Sequence, residues 1–181
     1  MLLQKIELQT GHLSELYDFY NDILELPVKF YEHTISITAG KSALIFKASS
    51  GTKNPFYHFA FNIPSNKIDE AFQWLQARME ILWLDDYDSY IADFKNWHAK
   101  SFYFLDPAGN IGELIARFDL NDAETESFSS KQIRNVSEIG LVYPDDLFDQ
   151  GINELLNKYH LDYFSKQPPL EHFRAIGDDE G

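Results

Sequence analysis

Lys5-Ile6-Glu7-Leu8-Gln9-Thr10, His58-Phe59-Ala60-Phe61-Asn62-Ile63 and Glu138-Ile139-Gly140-Leu141-Val142-Tyr143 open three stretches of this chain in the same way. Each is a short apolar-rich run that leads, within a few residues, into a pattern of helical period. Leu13, Leu16, Tyr17, Tyr20, Ile23 and Leu24 carry the first pattern, and Ile68, Ala71, Phe72 and Leu75 the second. Leu147, Phe148, Ile152, Leu155, Leu156 and Tyr159 carry the third. A recurring strand-plus-helix unit decides the fold before any single motif does. It also makes equivalent positions comparable within one sequence. The first column of the repeat holds Lys5, His58 and Glu138.

Outward from the first opening, residues 4–10 read as a strand, and His12-Leu13-Ser14-Glu15 leads into a helix that Pro27 stops. Residues 28–32, 34–38 and 43–47 read as three short strands, with Ala39-Gly40-Lys41-Ser42 as a tight turn. Ser49-Ser50-Gly51-Thr52-Lys53-Asn54-Pro55 reads as a linker. The pattern then restarts: a strand over 57–63, a helix over 66–78 with Ser65 or Asn66 at its N-cap, a strand over 100–105, the turn Asp106-Pro107-Ala108-Gly109-Asn110, and a returning strand over 111–118. Asp85-Asp86-Tyr87-Asp88 between them reads as a solvated loop. Residues 119–134 are a polar, acidic connector. A third unit opens at 135, with Pro144-Asp145-Asp146 as a helix start and short runs over 162–165 and 173–176. Gly177-Asp178-Asp179-Glu180-Gly181 reads as a hairpin turn whose second arm is expected beyond Gly181.

The chain has 181 residues, 44% of them hydrophobic, which is enough for one or two domains with a real core. A formal net charge of −14 excludes nucleic acid and anionic membrane surfaces as natural partners. The absence of cysteine excludes disulfides and thiolate chemistry. Met1-Leu2-Leu3 runs into Gln4 and Lys5 without a signal-peptide core, and no apolar run reaches the length of a transmembrane helix, so the cytoplasm is the expected compartment. There is no Gly-x-Ser-x-Gly, phosphate-binding glycine loop or dinucleotide fingerprint.

Several of these residues together resemble the vicinal oxygen chelate superfamily of glyoxalases, extradiol dioxygenases and bleomycin-resistance proteins. Lys5-Ile6-Glu7-Leu8 followed by Leu16-Tyr17-Asp18-Phe19-Tyr20 carries part of the resemblance, and His58-Phe59-Ala60-Phe61 another part. Its most specific piece is Asp106-Pro107-Ala108-Gly109-Asn110-Ile111-Gly112-Glu113-Leu114. The resemblance covers residues 4–118. It implies an α+β fold in which paired βαβββ modules, 1–50 and 55–118, form a curved mixed sheet around a crevice. Residues 119–134 are then a linker, and 135–181 a partial third module. It further implies metal-ligand positions at Lys5, Phe46, His58 and Glu113, of which only His58 and Glu113 are of ligand type.

A catalytic metal needs about three protein ligands and an open position. A protonated Lys5 aimed at the same point would repel the ion by roughly 4 kcal/mol per unit charge at 4 Å and an effective dielectric of 20. Three readings therefore stand. His58 and Glu113 bind a divalent metal (iron, manganese, zinc or nickel), with Glu7, two residues along the strand from Lys5, or a residue of a partner chain as third ligand. Or Lys5, His58 and Glu113 form a metal-free polar cluster with Lys5 in the cation's place. Or His58 is a satisfied core histidine and Glu113 a solvated strand residue. His98 and Tyr103 are further crevice candidates, and Trp83, Trp97 and Phe61 are possible pocket walls. The function classes that follow are a metal-dependent lyase or dioxygenase, with Glu113 as ligand or base, and a metal-free binder of a small organic molecule. The apolar strand and helix of the third module lack a partner module in the sequence, so pairing in a homodimer is expected.

Overall fold

The computed structural model describes residues 1–49, 51 and 55–180. Most of the expected linker at 49–55, and Gly181 of the expected hairpin turn, lie outside them. The first module runs β1 (Lys5–Thr10), α1 (Leu13–Asp18), β2 (Val28–Tyr31), β3 (Thr34–Ala39) and β4 (Ser42–Ala48). The second runs β5 (His58–Ile63), α2 (Ile68–Gln76), β6 (Ala92–Phe94), β7 (Ala99–Leu105) and β8 (Ile111–Arg117). Their sheets have one connectivity: orders β1-β4-β3-β2 and β5-β8-β7-β6, with the first and last strands of each module parallel and the others antiparallel. The expected pair of βαβββ modules is what the chain forms.

Alternation along the strands gives each sheet a helix-facing side. Ile35, Ile37, Leu44 and Phe46 in the first module and Phe59, Phe61, Ile63, Phe102, Phe104 and Leu114 in the second are completely buried. With Leu16 and Tyr20 of the first helical segment and Ala71 and Leu75 of α2, they make one continuous core across both modules. α1 continues as a π-helical turn over Phe19–Ile23, and Glu25 at φ 50 ends it before Pro27. α2 starts after Lys67, with no side-chain cap from Ser65 or Asn66. The connector draws those two residues away instead: Ser65 N–H donates to Asp122 Oδ1, and Asn66 exchanges two hydrogen bonds with Glu124.

The turn between β7 and β8 locks the modules together. Asp106 is buried, and its Oδ1 accepts the backbone N–H of Ala108 (2.9 Å) and of Asn110 (3.0 Å). Its Oδ2 accepts the Asn110 side-chain amide (2.7 Å) and the Tyr20 hydroxyl of the first module (3.0 Å). Asn110 Oδ1 in turn accepts the N–H of Tyr57 at the entrance to β5 (2.9 Å). Gly112 follows because the Phe104 ring lies where a side chain would stand, with a Cβ only 2.3 Å from its Cζ.

The third unit contributes less than a module. β9 (Asn135–Ile139) pairs antiparallel with β5 and becomes the fifth strand of the second sheet, so its partner strand lies within the chain. The connector before it presses on the β3–β4 turn. Gly40, at φ +55, has no room for a side chain, since a Cβ would come within 2.1 Å of the Arg134 carbonyl oxygen. The strand ends at Ile139 rather than Tyr143, and α3 (Phe148–Tyr159) follows. Beyond α3 the described residues form only isolated bridges, Tyr163 with Ile176 and Leu170 with Phe173. No helix among the described residues is long and apolar enough to cross a membrane.

The Asp106 cluster sets a graded expectation for stability. Tyr20→Phe removes one buried hydrogen bond and should cost about 1 kcal/mol. Asp106→Ala strands several donors at once and should cost about 3 kcal/mol or more. Urea unfolding of both variants measures this, and equal losses for the two would contradict the shared-acceptor role.

Candidate functional site

The face of the second sheet turned away from α2 carries the candidate site. Register places Tyr103 of β7, Glu113 of β8, Ala60 of β5 and Glu138 of β9 in one row across it. Ala60 is small and leaves a gap between the two carboxylates. His58, two residues back along β5, reaches in from one side, and its Nε2 lies 2.9 Å from Glu113 Oε2. Arg117, four residues along β8, reaches in from the other side and pairs with Glu138 while its Nε–H donates to Asn62 Oδ1 (3.2 Å). The result is two ion pairs side by side under cover. Side-chain exposure is 3% for Glu113 and 4% for Arg117, against 38% for His58.

Electrostatics follows from that packing. Burial disfavours a charged His58, but the hydrogen bond and charge of Glu113, with Glu138 behind it, outweigh burial and raise its pKa above the ordinary imidazole value. Burial raises the Glu138 carboxyl, Glu113 adds to the rise, and Arg117 opposes it. Burial and the nearby Glu113 charge push the Tyr103 phenol far up, so it stays a neutral donor. His58 and Tyr103 also line an open depression of about 280 Å³ together with Leu82, Leu84 and Ile111. A bond from Leu82 N–H to the Tyr103 carbonyl (2.9 Å) pins the wall segment to β7.

No protein-family model matches the chain, and no curated protein matches it. Solved structures do. A lactoylglutathione lyase from Agrobacterium tumefaciens shares 19% identity over 62% of this chain and 90% of its own, with a TM-score of 0.50. Oxidase ChaP-H2 shares 24% identity over 65% of this chain and 94% of its own, at 0.51. A glyoxalase/bleomycin resistance protein/dioxygenase from Alicyclobacillus acidocaldarius shares 20% identity over 65% and 92%, also at 0.51. The chain has the vicinal oxygen chelate fold.

Within this vicinal oxygen chelate fold, the expected site residues separate. His58, Glu113 and Tyr103 come together. Glu7 stays on β1 in the other sheet, where Lys47 and Lys5 hold its carboxyl down to about 2 by hydrogen bonds. Lys5 therefore pairs with Glu7 and not with Glu113, which corrects its place in the metal-free cluster. Phe46 is no crevice residue. Strand alternation turns it into the core against Tyr20 and Phe59, while Ile45 and Lys47 take the opposite face. His98 also lies elsewhere. It precedes β7 beside Arg117, at the far end of the strand from Tyr103, and pairs with Asp119 at 2.7 Å. Sequence reasoning missed Arg117 and the walls Leu82 and Leu84. The period of two from Glu113 through Ile115 to Arg117 was the available signal for the arginine.

A divalent metal does not fit these residues. Among the described residues no three His, Asp or Glu side chains stand close enough to hold one. His58 and Glu113 are bonded to each other, and the third acidic group, Glu138, is already held by a guanidinium.

Two measurements test this charge arrangement. Arg117→Met leaves the partly covered Glu138 charge without its partner and should cost about 2–3 kcal/mol, recovered in part by adding Glu138→Gln; chemical denaturation reads both. For His58 the folded pKa is raised, so the stabilisation is complete below the unfolded value of about 6.5 and is lost as pH rises through the folded value. The stability advantage of wild type over His58→Gln should therefore shrink from pH 6 to pH 9. An advantage that grows over this range would reverse the assignment.

Proposed function

We propose that this protein binds a compact, largely apolar organic molecule carrying a hydrogen-bond acceptor in the His58–Tyr103 pocket, and does so without a metal. The observation that carries the reading is the closure of His58 on Glu113 with Arg117 in the adjoining position, which replaces a ligand set by two ion pairs. The depression of about 280 Å³ lies just below the usual size of ligand sites, about 300 to 1,000 Å³. Leu82, Leu84 and Ile111 supply apolar walls, and the Tyr103 hydroxyl, which already hydrogen-bonds Glu113, supplies a shared donor. The His58 ring supplies a second donor. Fold relatives that carry names of lyases, oxidases and resistance proteins support a small-molecule crevice without naming its occupant.

The His58–Glu113 pair favours a second reading, turnover by proton transfer. A buried carboxylate orients a partly exposed imidazole at the pocket wall, as a general acid–base pair requires.

Protein purified without chelator should carry far less than one equivalent of any divalent metal. Compounds that raise its melting temperature in a screen of small aromatic and apolar acids should lose that effect with Tyr103→Phe and with Ile111→Trp, the fold being retained. Stoichiometric iron, manganese, zinc or nickel that is lost in His58→Ala would overturn the proposal. Metal-free turnover that vanishes in Glu113→Gln would decide for the second reading.

A further inference from the structure

The rest of the same sheet face is closed by the chain itself. Ala60, Ala99 and Ile115 form a small apolar floor with Trp97 packed on it. Residues 162–180 lie over that floor. Phe164 is buried edge-on against the Trp97 ring, with centroids 5.2 Å apart. Gln167 Oε1 accepts the indole N–H (3.0 Å), and the Glu180 carbonyl accepts the side-chain amide of buried Asn62 (2.7 Å). The segment thus presents to the sheet one aromatic ring and two acceptor oxygens.

We propose that residues 162–180 are a releasable strap, and that the hollow around Trp97 beneath them is a second subsite, built for an aromatic molecule bearing an acceptor oxygen. Phe164, Gln167 and the Glu180 carbonyl occupy it in cis. Such a molecule places its ring against Trp97 and its acceptor at the indole N–H and the Asn62 amide. The build of the strap suits release. It has no helix and no strand ladder, and closes on itself through bonds from Phe164 N–H to Ala175 O, Gln167 N–H to Phe164 O and Gly177 N–H to Asp162 O. It is moored outside the subsite by Lys166 to Asp119 and by the Met1 amine to Asp178. Exposed ion pairs hold weakly, and segments of this kind open at low free energy. Release lengthens the crevice beyond the His58–Tyr103 pocket.

The proposal deepens the binding reading of this face, and the two fail separately, because metal at His58 would leave the strap's behaviour untouched. The test uses the full chain and the dye 1-anilinonaphthalene-8-sulfonate, which carries both aromatic rings and sulfonate acceptors. In Lys166→Ala, amide exchange at Phe164, Gln167 and Gly177 should accelerate about fivefold, the size set by loss of an exposed ion pair. Dye affinity should rise on the order of fivefold with it. Adding Trp97→Phe should abolish the gain in affinity, and adding Tyr103→Phe should leave it. Unchanged exchange, faster exchange without a gain in dye binding, or a gain abolished by Tyr103→Phe would each overturn the proposal. Should Lys166→Ala fail to fold, wild-type exchange at the same amides must accelerate between about 0.05 and about 0.5 M salt, where exposed pairs are screened. A flat response there overturns it equally.

Discussion

The carboxylate of Asp106 ties the turn between β7 and β8 to itself and to the first module. Apolar burial between the two sheets is non-directional, and polar contacts add direction to it. Asp106 supplies direction. It gathers the turn between β7 and β8 through backbone and Asn110 contacts, and reaches the first module through Tyr20. Asn110 then fixes the entrance to β5 through Tyr57 N–H. β5 and β8 carry His58, Glu113 and Arg117, so the register of the site follows from a turn that lies outside it.

A metal centre gathers several donors around one cation. Here the cations belong to the chain: the imidazole of His58 and the guanidinium of Arg117, each set on its own carboxylate. Glu113 is covered and Glu138 partly so, and neither charge is cheap to leave without its partner. Charge is thus fixed on the sheet face beside the His58–Tyr103 depression.

The strand–helix repeat was legible because it is written in periodicities, two for strands and 3.6 for helices, that survive without knowledge of any contact. The turn Asp106-Pro107-Ala108-Gly109-Asn110 was legible because its residue types serve local backbone geometry. His58 and Glu113, singled out by the family resemblance, came to lie together beside Tyr103. Phe46 did not, because a shift of one residue moves a strand side chain to the other face. Glu7 and Lys5 failed for a different reason. Which of several nearby charges pairs with which is decided in three dimensions, and Lys47, distant in sequence, claimed Glu7. The N-cap of α2 was lost in the same way, to the connector at Asp122 and Glu124. Arg117 stood in a strand that read as apolar, and only its register with Asn62 and Glu138 gives it a role.

The placement of β9 has a consequence for biosynthesis. The ribosome delivers both modules before it delivers the strand that finishes the second sheet. Until Asn135–Ile139 has emerged, the backbone groups of β5 along that edge face solvent or a chaperone instead of a neighbour. A bare edge on an otherwise folded sheet is a template for any other nascent chain. The cell therefore handles, for the time needed to translate the connector, a particle more adhesive than the finished protein. Slow codons placed between 118 and 139 would prolong that interval, and fast ones would shorten it.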